Sequence, residues 1–189
     1  MGYLTMQVLA SSSSLRTDVN GYNASAIVER FRQTAPDIIF LTEKEDVAGE
    51  LGATIRKNLK VKVMDCSQDS EQFLKFWDDF FRRSISTPEA AVKKNMIELI
   101  DDTVYSYLSN YWKDWDTVNS EVTDSLFRAK HKLVESVFYD LEQGFWHAQN
   151  KLIADKISSG HPTEKSVIIS GVERRYWLVD RIKDLMPQL

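Results

Sequence analysis

Apolar residues follow two rhythms along this chain. As far as Asp65 they come in short continuous runs, 3–9, 37–41 and 61–64, each too short for a helix and bounded by polar residues. Between the runs the spacing changes to three and four: Ala24, Ile27, Val28 and Phe31 within 22–33, then Val47, Leu51 and Ile55 within 47–59. The pattern predicts buried strands alternating with amphipathic helices, in the order βαβαβ. Strands joined through helices pair in parallel by right-handed crossovers, and such sheets hold ligands beyond the carboxyl ends of their strands. Those ends fall at 10–14, 42–45 and 65–67.

After residue 66 the rhythm is helical throughout. Phe73, Phe76, Trp77, Phe80 and Phe81 form an aromatic stripe. Ser86-Thr87-Pro88-Glu89 reads as a helix start with a Ser-x-x-Glu capping box. One face then continues through Val92, Met96, Leu99, Ile100, Val104, Tyr107, Leu108 and Tyr111. A third helix is expected from Asn119 or Ser120 to Gln143 on Val122, Leu126, Leu133, Val137 and Leu141; Gly144 interrupts it and a fourth covers 145–157. Gly160-His161-Pro162 ends that helix, 166–170 is a fourth strand, 171–175 a loop and 176–185 a closing helix. The fold class is therefore α/β, a mostly parallel sheet of about four strands with a long all-helical insertion. One domain is expected, with an α/β core of 1–66 and 164–189 around an insert of 67–160, and the stripes are read as core.

The composition narrows the function classes. With 189 residues, 43% hydrophobic and 28% charged, the chain has enough material for one ordered core. A net charge of -4 argues against nucleic acid and anionic membrane as partners. The first apolar run lacks a basic start and is too short for a membrane span, so neither leader nor anchor is expected. A single cysteine, Cys66, fits a reducing compartment, so the expected location is the cytoplasm. Cys66 lacks a histidine placed as its base and reads as inert. His131, His147 and His161 lie in or just after the insert and read as surface or capping residues, His147 as semi-buried beside Trp146.

No Gly-rich phosphate loop, nucleophile elbow or metal-spaced His/Cys cluster occurs. A weaker constellation does. Pro36-Asp37-Ile38-Ile39-Phe40-Leu41-Thr42-Glu43, the strand 61–65 ending in Asp65, Phe145-Trp146-His147-Ala148-Gln149-Asn150, and Val167-Ile168-Ile169-Ser170-Gly171-Val172-Glu173-Arg174-Arg175-Tyr176 occur in that order. The arrangement resembles the erythromycin-esterase/ChaN/TraB/Tiki-like superfamily, in which two Gly-x-x-His loops and an acidic residue serve as base or metal ligands. Aligned this way, the first such loop falls on Ser11–Ser14 and the second becomes Gly171-Val172-Glu173-Arg174, so both histidines are replaced, by Ser14 and Arg174. Serine is a poor metal ligand and guanidinium repels cations, so no metal site is expected and the family's hydrolytic mechanism does not carry over.

The resemblance implies a pocket at the strand ends lined by Ser12, Ser14, Glu43, Asp65, Glu173, Arg174, Arg175 and Tyr176. On this expectation it holds a small molecule, with Arg174 or Arg175 favouring an anion, or a protein partner, without catalysis. An alternative makes Glu43 and Glu173 a general acid and base. A second makes the chain a haem protein like the ChaN branch, with Tyr176, Tyr22 or His147 as axial ligand; otherwise no cofactor is expected. A third leaves Glu43 and Arg174 as a structural ion pair with Glu173 capping the last helix. Aromatics of the insert, including Trp77, Trp112, Trp115 and Trp146, would permit a homodimer if any stripe remains exposed.

Overall fold

The computed structural model describes residues 6–68, 71, 75, 76, 78–80, 82, 87–182, 184 and 185. Four strands, β1 (Gln7–Ala10), β2 (Ile38–Leu41), β3 (Lys62–Asp65) and β4 (Val167–Ser170), form an all-parallel sheet in the order β1-β4-β2-β3. The strand nearest the carboxyl terminus thus lies between the first two. Its position explains its sequence: Val167, Ile168, Ile169 and Ser170 are all buried, as a strand covered on both faces requires. β3 lies at the edge, and Lys62 and Asp65 are exposed there.

Helix α1 (Ala24–Thr34) starts at Asn23, whose side chain accepts from the Ala26 amide at 3.0 Å, and stops at Ala35, which turns left-handed (φ 45°) ahead of Pro36. Its face of Ala24, Ile27, Val28 and Phe31 is buried, as the spacing predicts. The single helix expected over 47–59 is two, α2 (Lys44–Ala48) and α3 (Glu50–Asn58), divided at Gly49. α1 and α3 pack on each other. The steps β1→β2→β3 run one way across the sheet and β3→β4 runs back. Right-handed crossovers in opposite senses use opposite faces, so the insert lies on the face away from α1 and α3.

In the insert, α4 (Pro88–Tyr111) is capped by Thr87, which accepts from the Ala90 amide at 3.2 Å, one residue later than the capping box places it. Short α5 (Trp115–Val118) follows, then α6 (Glu121–Val137), capped by Ser120 and packed against α4. α6 is shorter than expected: after Phe138 come one helical turn and a π-helical segment (Glu142–His147), which runs into α7 (Ala148–Ser159). The last helix, α8 (Val172–Asp180), begins where a loop was expected and carries Glu173, Arg174, Arg175 and Tyr176 in its first turns. It packs on β1, α6 and α7.

The stripes expected to form the core of α4 and α6 are partly on the outside. Val92, Met96, Leu99 and Tyr107 of α4, and Val122 and Leu133 of α6, are exposed. The inward faces are Ile97, Tyr105 and Leu108 on one helix and Thr123, Asp124, Phe127, Lys130, His131 and Val134 on the other. Trp112 is buried and donates its indole N–H to Thr123 Oγ1 at 3.0 Å, which removes it from any surface interface. Ile97, Val134 and Leu141 form a second apolar cluster with Phe76, Phe80, Phe138 and Phe145. Phe73, Trp77, Phe81 and Ser86 lie outside the described residues, as does the start of the first apolar run. No described helix is long and apolar enough to cross a membrane.

Candidate functional site

Polar residues on a buried helix face need partners, and those of α4 and α6 find them in one another. Asp101 stands one turn from Ile97 on α4, and Lys130 and His131 stand one turn from Val134 on α6. The two faces meet beside the first turn of α8. Lys130 Nζ donates to Asp101 Oδ1 and, at 2.5 Å, to Glu173 Oε1. His131 has a carboxylate oxygen 2.7 Å from each ring nitrogen, Glu142 Oε1 at Nδ1 and Glu173 Oε1 at Nε2. Arg16, delivered by the loop that follows the serine run, reaches Asp101 Oδ2 at 2.6 Å and lies 3.6 Å over the Tyr105 ring. The result is a continuous chain of alternating sign: Glu142, His131, Glu173, Lys130, Asp101, Arg16.

A neutral imidazole has one N–H, yet His131 faces a carboxylate on both sides. Burial works against its charge, but the bonds to Glu142 and Glu173 outweigh burial and raise its pKa above the ordinary 6.5. Glu173 is burdened by burial too, and His131 and Lys130 hold it well below the usual carboxylate range. Lys130 follows the same logic: burial lowers its pKa, the attraction of Glu173 and the bond from Asp101 raise it, and the balance is upward. The reading of His131 as a surface or capping residue is thus corrected, since it is 7% exposed and joins three helical elements.

This chain forms one wall of a cavity of about 570 Å³. Ile97, Val134, Leu141, Phe145 and Trp146 supply its apolar lining. The volume lies within the range of small-molecule pockets, roughly 300–1,000 Å³, and a mainly apolar lining with a few convergent polar groups is their usual composition. Phe145 and Trp146 belong to the π-helical segment, a local geometry common at functional sites. Gly144 in that segment lies against Phe76, whose ring a Cβ would approach to 2.9 Å, so a bulkier residue would separate the segment from the apolar cluster. The Trp146 ring stacks on His131 at 3.9 Å between centroids and donates its N–H to Tyr176 Oη at 3.3 Å.

Trp146 and Glu173 also line a second, smaller hollow of about 200 Å³, shared with Ser14, Glu43, Tyr105, Gly171, Val172 and Arg174. This is the expected strand-end site. The ladder holds its loops in place: Ser11 N–H donates to Ser170 O at 2.6 Å and Thr42 N–H to Ile169 O at 3.1 Å. Glu43 Oε1 accepts from the Arg174 guanidinium and, at 2.9 Å, from the Gly171 amide. Gly171 is what permits this approach, because a Cβ there would come 3.0 Å from the same oxygen. Arg174 is also fixed by Asn150 Oδ1 at 2.5 Å and Gln149 Oε1 at 2.7 Å, and Ser14 Oγ accepts from the Val172 amide at 2.8 Å.

The expected site residues therefore separate. Ser14, Glu43, Glu173 and Arg174 come together. Tyr176, 6% exposed, stands behind them through Trp146. Ser12 sits in the 3-10 turn Ser12–Ser14 without lining either hollow. Arg175 points elsewhere, to the Val8 carbonyl at 3.0 Å and to Asp124 at 2.5 Å, joining β1 to α6. Asp65 is exposed at the edge strand and caps its own turn, accepting from the Ser67 amide at 2.8 Å. The haem-ligand candidates are dispersed and bonded: Tyr22 Oη donates to Ala10 O at 2.5 Å, and His147 Nδ1 accepts from Trp177 at 3.1 Å. Cys66 is fully buried, which pushes its thiol up to about 11, consistent with an inert role.

The serine run has an unexpected partner, Asp46. Ser11 and Ser13 both donate to its Oδ1, at 2.5 and 2.7 Å, while Oδ2 is buried without a partner among the described residues. Sequence reasoning missed Asp46, Asp101, Lys130, His131 and Glu142. The available signal was a basic pair, Lys130-His131, breaking the apolar spacing of a helix otherwise able to be buried. No family model, curated protein or solved structure matches the chain.

Proposed function

We propose that this chain binds a small organic molecule in the 570 Å³ cavity between α4, α6 and the π-helical segment, with the strand-end hollow as its inner extension. One observation carries the reading: a cavity of ligand size is lined by both an apolar cluster and a self-neutralised chain of charges. On this reading the chain is a divergent member of the superfamily it resembles. The ligand site has moved outward from the strand ends into the insert, because Arg174 and Glu43 fill the original position. Binding is favoured over acid–base catalysis because each carboxylate proposed as acid or base is already engaged, Glu43 with Arg174 and Glu173 with Lys130 and His131.

Titration with an uncharged fluorescent dye such as Nile red tests it. Saturable binding at one site is expected, lost in Val134→Trp, which fills the cavity, and retained in Leu133→Trp on the exposed side of the same helix. Equal binding by both variants would remove the cavity as the site.

A further inference from the structure

The hydrogen bonds that build the polar wall use it unevenly. Of its cations, the Arg16 guanidinium bonds Asp101 and lies over Tyr105, the His131 ring has both nitrogens occupied, and Lys130 has two of its three N–H donors occupied. The carboxylates are less occupied. Glu142, 2% exposed, uses Oε1 for His131, and its Oε2 accepts no bond among the described residues. Asp102 lines the cavity mouth, and neither of its oxygens accepts one. Glu173 Oε2 has only the long contact, 3.4 Å, from Tyr105 Oη. Apart from one N–H of Lys130 and the remaining N–H groups of the half-exposed Arg16, the unused capacity is acceptor. In charge, Glu98, Asp101, Asp102, Glu142 and Glu173 line the cavity with Arg16, Lys130 and His131; Glu98 pairs with Lys94 at 3.0 Å, and Asp102 has no ionic partner among the described residues.

We infer that the ligand of this cavity is an organic cation, an amine carried on an apolar or aromatic body. Its ammonium N–H groups satisfy Glu142 Oε2 and the Asp102 carboxylate, and its body lies along Ile97, Val134 and Phe145. An anionic head group fits poorly, since the unpaired oxygens of Glu142 and Asp102 would repel it. The inference rests on the cavity being the ligand site.

The test is calorimetric titration of the full chain with a matched series: phenylbutylamine, phenylbutanol and phenylbutyrate. The amine should bind about tenfold more tightly than the alcohol, a gain typical of one charge-assisted contact, and added salt should weaken the amine alone. Asp102→Asn, at an exposed position, and Glu142→Gln should each reduce the preference for amine over alcohol. Tighter binding of the carboxylate, or an unchanged preference in both variants, would overturn the choice of a cation while leaving the cavity as a site. Failure of all three compounds to bind would overturn the site and the inference together.

Discussion

The imidazole of His131 lies flat on the indole of Trp146, with 3.9 Å between ring centroids and 14° between planes. A carboxylate oxygen stands 2.7 Å from each of its nitrogens. The histidine therefore ties α6 to the π-helical segment through Glu142 and to α8 through Glu173, and it does so best as an imidazolium.

This charge state sets a pH dependence. Burial lowers the His131 pKa but the two carboxylate bonds raise it further, so the folded value exceeds the ordinary 6.5. A group raised on folding contributes stability that is complete below its unfolded pKa and is lost as pH climbs through the folded one. The melting temperature of the wild type should exceed that of His131→Gln most in weakly acid solution, with the difference shrinking as the solution becomes alkaline. A constant difference would show that the ring titrates in the fold as it does in the unfolded chain.

Asp46 should behave in the opposite sense to an ordinary paired carboxylate. Burial raises its pKa, against the bonds from Ser11 and Ser13 that lower it, and the folded value lies above 3.8. Its ionised form weakens the fold, and the relief on protonation begins as pH falls through the folded pKa and is complete below 3.8. Asp46→Asn keeps an acceptor for both serines and removes the charge. Its stability relative to wild type should be highest near neutrality and fall as the solution is acidified, as read by denaturant unfolding at a series of pH values. A relative stability independent of pH would mean that Asp46 titrates as it does in the unfolded chain.

Gly171 and Glu43 should be energetically coupled. A methyl at Gly171 would meet Glu43 Oε1 at 3.0 Å, and the backbone there (φ -52°) suits any residue, so the cost comes from contact rather than conformation. Gly171→Ala should destabilise by about 1–3 kcal/mol in the wild type and much less in a Glu43→Ala background. Chemical unfolding of the four members of this cycle measures the coupling. Additive effects would mean that the carboxylate does not sit against this glycine.

The sheet was legible because its strands are continuous apolar runs that helices cannot use: 37–41, 61–64 and 166–170 each fall within a residue of β2, β3 and β4. The pair Glu43–Arg174 was legible for the same reason, since its members follow predicted strand ends. The order of the strands was not, because continuous runs do not say which neighbour each takes. In the insert, apolar spacing found Leu108, Val104 and Leu126 but also counted Val92, Leu99, Val122 and Leu133, which are exposed. Asp101, Lys130 and His131 count as outward residues in any hydrophobic pattern, and only their mutual neutralisation makes burial tolerable. That neutralisation depends on residues from α8 and the π-helical segment, distant in sequence, so the cavity wall was invisible at the level of single helices.

The placement of β4 between β1 and β2 also constrains the order of events in folding. β2 and β3 can pair as soon as both exist, with one short crossover to close. β1 pairs with β4, and β2 reaches β1 only through it, so the first strand made stays without its ladder until the far end of the chain arrives. Closing that long loop is entropically slow, and a ribosome-bound chain ending in the insert would display the flanks of β1 and β2 as open edges. The last strand acts as a keystone, and the step that admits it should limit the rate at which the molecule folds.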